Sequence, residues 1–137
     1  MSHARARRAI EAILADWAEA WPIDVAFGTQ PFEPPADRIY LRAYLLPATT
    51  VSRYLGGEAY EYTGVYQVSI VVPIGRPAID HEVLVDELAT LFPVDLDLSE
   101  SGFEGVVLTP VHPGPCIVES TTYTVPTSFT YQGEADK

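Results

Sequence analysis

Residues Tyr60–Val72 read YEYTGVYQVSIVV. Taken with a period of two, Tyr60, Tyr62, Tyr66, Val68, Ile70 and Val72 fall on one side, with Gly64 among them. Glu61, Thr63, Gln67 and Ser69 fall on the other, together with Val65 and Val71. Successive strand side chains point to opposite faces, so the pattern predicts one long strand with a buried face and a wetter face. Aromatic and β-branched residues suit such a surface. Pro73 cannot donate to a ladder and is expected to end the strand. Gly64 is expected to mark a bend or bulge.

Working outward, Arg38–Leu46 predicts a second strand. Ile39, Leu41, Ala43 and Leu45 lie on one face; Arg38, Tyr40, Arg42 and Tyr44 lie on the other, and Pro47 is expected to stop it. It is a natural antiparallel partner for the first. The connection Ala48–Ala59, ATTVSRYLGGEA, is too long for a tight hairpin turn. Its Val51, Tyr54 and Leu55 fit either an interface loop or a segment packed on its own domain.

Two helices flank this ribbon. Ser2–Ala20 places Ala6, Ile10, Ile13, Leu14, Trp17 and Trp21 on one stripe, with Ser2 as the expected N-cap. Its Arg5, Arg7 and Arg8 sit at the wrong end for the helix dipole, which suits either an acidic neighbour or plain solvation. Asp80–Phe92 carries Leu84, Val85, Leu88, Leu91 and Phe92 on its apolar face, between Pro77 and Pro93. A short strand is expected at Ile23–Phe27, and a Pro-rich connection at Gly28–Asp37. Further strands are expected at Gly105–Val111 and Cys116–Val125, around a tight loop at His112–Pro115. Pro126 is expected to interrupt, before a final edge strand at Thr127–Tyr131 and a flexible tail over 131–137. The predicted class is α+β: an antiparallel or mixed sheet with two helices packed on one face.

The chain of 137 residues is expected to form a single domain, and 47% hydrophobic content can fill a core. No apolar run approaches the ~18 residues of a membrane span. The arginine-bearing start lacks the apolar block of a signal peptide, so a soluble protein made in a cytoplasm is expected. Cys116 is the single cysteine, which rules out an internal disulfide. The net charge of −11 is unevenly placed. Residues 1–57 balance six arginines with six acids, whereas residues 58–137 set Arg76 and Lys137 against thirteen acids. Such a surface repels nucleic acid rather than gripping it. It is either a solvated face or a one-signed surface that lines a channel or meets a basic partner.

Chemistry-bearing residues do not assemble into a motif. His112 and Cys116 lie four apart around Pro-Gly-Pro, without the orienting group that a nucleophilic dyad needs. The set His112, Cys116 and an acid lacks metal-site spacing. His81-Glu82 with Asp86 and Glu87 does not make an HExxH helix, and Asp95 and Asp97 lack a calcium loop around them. No catalytic, cofactor or metal residue is therefore assigned, and an enzyme is not expected.

The stretch RIYLRAYLLPATTVSRYLGGEAYEYTGVYQVSIVVPIGRP, Arg38–Pro77, followed by VLVDELATLFP, resembles the tail terminator-like proteins of long-tailed, lambda-like bacteriophages. The features that carry the likeness are Tyr40-Leu41-Arg42, the Leu46-Pro47 break, Gly64–Val68, the Pro73-x-Gly75 turn and the Leu88-x-x-Leu91-Phe92 helix end. The resemblance implies an α+β subunit of a virion tail, assembled as a ring, expected to be a hexamer, although the free chain could be a monomer. Such a ring caps the tail tube, stops its polymerisation and offers a surface to the head–tail connector proteins. DNA passes its bore without specific binding, and neither membrane nor cofactor is involved. Candidate contacts to neighbouring subunits or the tube are Arg38, Arg42, Val51, Arg53, Tyr54 and Leu55, the arginines as ion-pair partners for acids of the adjacent subunit. Two other readings stay open: another neck or tail-completion protein, and a small-ligand module with its ligand among Trp17, Trp21 and the tyrosines.

Overall fold

The computed structural model describes residues 2–28, 32–35, 38–52, 59–75, 77–99 and 103–136. In chain order the elements are α1 (Ser2–Ala20), β1 (Asp24–Phe27), β2 (Tyr40–Ser52), β3 (Ala59–Pro73), α2 (Ala78–Leu91), β4 (Phe103–Val107), β5 (His112–Pro113), β6 (Ile117–Val118) and β7 (Thr122–Asp136). One mixed sheet runs β1-β2-β3-β7-β4, and β5 and β6 also pair with β7. β1 is parallel to β2; the other pairings are antiparallel. The class is α+β, as the residue pattern predicts.

The helices close one face of this sheet. Tyr66, Val68, Ile70 and Val72 of β3 are buried there, beside Leu41 and Ala43 of β2 and Val125, Phe129 and Tyr131 of β7. Ala6, Ile10 and Leu14 of α1 and Leu84 and Leu88 of α2 complete the same cluster. Phe92 stacks on Phe129 at 4.8 Å between ring centroids, and Phe129 meets Tyr66 at 6.1 Å. Fully burying a large apolar side chain contributes about 1.5–3 kcal/mol, so this seam of rings carries much of the stability.

Several expectations are corrected. β2 does not stop at Pro47. It continues to Ser52, and the register against β3 shifts between Pro47 and Thr49. The irregularity thus lies on β2, directly opposite Gly64, and not on Gly64 itself. Gly64 serves a close approach: it pairs with Tyr131, and a Cβ there would collide with that ring. Ser2 begins α1 rather than capping it, and Trp21 lies just past the helix end, 41% exposed. α2 starts two residues before Asp80.

The larger correction concerns the last third. The strand expected at Gly105–Val111 is Phe103–Val107, and the loop at His112–Pro115 contains the two residues of β5. Cys116–Val125 divides into β6 and the start of β7. β7 then passes Pro126 without a break and runs to Asp136, where a tail was expected. It pairs with β3 along its full length, and its last residues pair with β4 as well.

Candidate assembly surfaces

The six predicted contact residues do not form one patch. Arg38 and Arg42 are exposed at the β1 side of the sheet. Arg38 Nη2 donates to Asp24 Oδ2 at 2.6 Å, and the Arg42 guanidinium lies 5.5 Å from the centre of the Tyr40 ring. Val51 lies near the opposite end of β2, with its backbone paired to Glu61. It lies nine residues along the strand from Arg42, or roughly 30 Å at the rise of a β-strand. Arg53, Tyr54 and Leu55 lie outside the described residues.

α1 is latched to the sheet by polar contacts that the apolar stripe does not reveal. His3 is buried against β2, β3 and β7. Its Nδ1 accepts from the Tyr131 hydroxyl, and its Nε2 donates to Thr50 Oγ1 at 3.2 Å. Burial lowers the His3 pKa and raises that of Tyr131, so a neutral ring faces a protonated phenol, and the phenol's proton goes to Nδ1 because His3 is the one hydrogen-bond partner of that hydroxyl among the described residues. Its ring also meets Tyr62 edge-on at 4.9 Å. Lower on the helix, Tyr66 donates to Glu11 Oε2 at 3.0 Å, and Glu11 Oε1 accepts from Arg7 at 2.9 Å. Burial, then the Glu11 carboxylate, pushes the Tyr66 pKa up and keeps that hydroxyl a donor. Arg7 thus has its acidic neighbour within its own helix. Arg5 and Arg8 make no ion pair among the described residues.

The face without helices is different in character. Glu61, Glu134 and Glu104 stand directly opposite one another across β3, β7 and β4. Like charges in such register disfavour the sheet. With Asp97 and Ser99 they line an open cleft of about 420 Å³. The Asp97 carboxylate accepts from the Ser99 hydroxyl at 2.5 Å and its amide at 3.0 Å, which holds its pKa below the usual carboxylate value.

Two further surfaces stand at the lateral edges. A groove of about 380 Å³ is lined by Trp21, Ile23, Ile39, Val83 and Leu84, with Arg38 on its lip. At the other edge, Ile117 and Val118 of β6 are 55% and 72% exposed. Sequence reading missed both, because neither a groove between α1, β2 and α2 nor the outward position of a Val-Ile pair is a local property.

The pairing of His112 with Cys116 is not what the structure brings together. His112 Nδ1 lies 3.1 Å from the Pro110 carbonyl, which can only accept, so that nitrogen carries a hydrogen and is no base. Cys116 is exposed and instead shares a cleft of about 340 Å³ with His81 of α2. His81 Nδ1 is engaged with the Tyr123 hydroxyl at 2.9 Å. Burial raises the Tyr123 pKa, followed by nearby Cys116, Asp80 and Glu82. Among the described residues no group of three or more His, Cys, Asp or Glu is placed to hold a metal ion, and no helix is long and apolar enough to cross a membrane.

The class so far is an α+β subunit: one mixed sheet, two helices on one face, and lateral edges of unlike chemistry. The chain belongs to the phage tail terminator family, whose model, described as phage tail terminator protein, matches residues 5–131. No curated protein matches. Eleven chains of solved structures do. One of them is 40% identical in sequence, with a TM-score of 0.82 over 97% of this chain and 96% of that one. The family is structural and non-catalytic, and it gives the protein a role in phage tail completion, as a tail component that interacts with other tail components.

Proposed function

We propose that this chain is a single tail terminator domain that assembles as a ring, expected to be a hexamer, on the tip of the tail tube. The ring stops tube polymerisation by covering the growing end and offers its far surface to the head–tail connector. No bond is made or broken; the mechanism is steric capping plus recognition at interfaces. The observation that carries the reading is the family match over residues 5–131.

The chemistry of the two faces supports it. The helix-covered face is filled by packed rings, with Phe92 stacked on Phe129 and Phe129 on Tyr66, which favours an assembly subunit over the small-ligand module of the alternative reading. The row Glu61–Glu134–Glu104 lies on the other face, which suits a bore that DNA must slide through without sticking. Arg38, Arg42 and Arg53 serve as ion-pair partners for acids of the adjacent subunit, and Val51, Tyr54 and Leu55 as contacts to a neighbour or the tube.

The test is native mass spectrometry of the purified chain, followed by electron microscopy of tail tubes grown with and without it. Closed rings and tubes of arrested length are expected. Charge reversal at Arg42 or Arg53 should weaken the ring while leaving the monomer folded. Tubes that keep growing in the presence of saturating protein would end the capping proposal.

A further inference from the structure

The two unlike lateral edges lie at one level of the molecule. A row of paired residues crosses the whole sheet: Asp24 opposite Tyr40, Tyr40 opposite Val71, Val71 opposite Thr124, and Thr124 opposite Ile117. The adjacent row contains Val72, Tyr123 and Val118. Ile39, one residue before Tyr40, falls at the level of this second row. Because strand side chains alternate, Val118 shares the face of Val72, which is fully buried under the helices. The groove of Trp21, Ile23, Ile39 and Val83 opens on that same face, at the opposite edge.

A rotation about an axis parallel to the strands keeps every residue at its level. It brings the β6 edge of one copy against the β1 edge of the next. An apolar projection on one side and an apolar groove on the other make a head-to-tail contact, which yields a ring when the rotation closes. Charge agrees with this placement. From Pro77 to Asp136, the part of the chain that contains α2, β4, β6 and β7, there is no Lys or Arg, and Asp80 of α2 also lines the groove. The arginines of the groove side are Arg38 and Arg42, and Glu119 directly follows Val118.

We propose that Val118 of one copy seats in the groove formed by Trp21, Ile23, Ile39 and Val83 of a second copy, with Glu119 beside Arg38 of that copy. This contact rests on the ring reading and names its interface. Arg38 keeps Asp24 as a partner, since a guanidinium has donors for two carboxylates.

The experiment starts with native mass spectrometry of the unaltered chain, free and on tube tips, which tests the ring by itself. Val83→Cys and Val118→Cys are then combined in a Cys116→Ser chain and oxidised under mild conditions. A ladder of covalent multimers that stops at the ring's own number is expected, whereas each single-cysteine chain gives dimers at most. Val118→Asp should raise the concentration of half-assembly at least about tenfold, as loss of one buried aliphatic contact implies. Measured below the concentration of assembly, its melting temperature should match that of the unaltered chain, because Val118 is exposed in the monomer. Rings that persist with Val118→Asp and give no ladder would overturn the contact and leave the ring reading standing. Absence of rings both free and on tubes would overturn the two together.

Discussion

β3 and β7 are neighbours of equal length, fifteen residues each, paired from end to end. They hold their conformation for different reasons. β3 is made of residues that favour a pleated, half-buried surface, and it is flanked along its length by β2 and β7. β7 contains Pro126, Gly133, Glu134 and Asp136, none of which favours a strand. Its upper part is ordered by what surrounds it. Phe103 of β4 lies over the backbone at Gly133, where a Cβ would strike the ring, and Tyr131 lies against Gly64. β3 is a strand by its own composition, and the end of β7 is a strand because its neighbours leave no other place for it.

Removal of residues 132–137 breaks this comparison most severely. A frayed tail could be cut with little effect. Here the cut removes four of the five β7 residues that pair with β4, leaving on that side only Tyr131 opposite Val107. Phe103, 1% exposed in the intact protein, loses its cover. Exposure of such side chains costs about 1.5–3 kcal/mol each, against a total stability of about 5–15 kcal/mol. The chain ending at Tyr131 should lose its cooperative thermal transition by circular dichroism. A transition within a few degrees of the full chain would show that the end of β7 contributes little.

His3 sharpens the comparison at the point where α1 meets both strands. His3→Ala leaves the buried Tyr131 hydroxyl without its acceptor, at a cost of about 1–3 kcal/mol. The pH dependence has a definite sign. Burial lowers the folded-state pKa of His3 below 6.5, so the unfolded chain takes up the proton first. The contribution is fully present above pH 6.5 and falls as the pH drops from there through the folded pKa. Denaturant titrations at several pH values should show this slope in the native chain. His3→Phe should flatten it, and an unchanged slope would remove His3 as its source.

The legible parts of the molecule are those where one face of one element decides. The alternation in Tyr60–Val72 and the stripes of α1 and α2 each report a local burial pattern, and the family resemblance rests on the same stretch. The illegible parts depend on partners distant in the chain. The passage of β2 through Pro47 requires a register shift opposite Gly64, a residue that reads locally as a bulge. The buried role of His3 depends on Thr50 and Tyr131, far away in sequence. The contact surfaces were legible only as residue types. The arginines are residue types that a sequence offers as candidates, whereas the groove beside Arg38 and the exposed Val118 across the sheet follow from register, which no window of the sequence contains.

Pro126 gives the smallest expected effect and isolates why the sequence of β7 does not read locally as one strand. A proline within a central strand argues against the strand because it removes a ladder donor. At Pro126, however, the carbonyl accepts from Gly114 at 2.6 Å, on the side away from β3. A strand residue directs its N–H and C=O to the same side, so the missing donor also points away from β3. On that side β5 and β6 pair with the residues around Pro126, at 127–128 and 123–124, and leave 126 itself unpaired by either strand. The proline therefore costs no bond to β3. Pro126→Val should change stability by no more than about 0.5 kcal/mol, within the range of substitutions that touch no special feature. Val125→Pro, one residue away, removes a donor directed at β3 together with a buried side chain, and should abolish the transition. Equal losses in the two variants would show that the orientation of the missing donor is not what lets β7 pass through a proline.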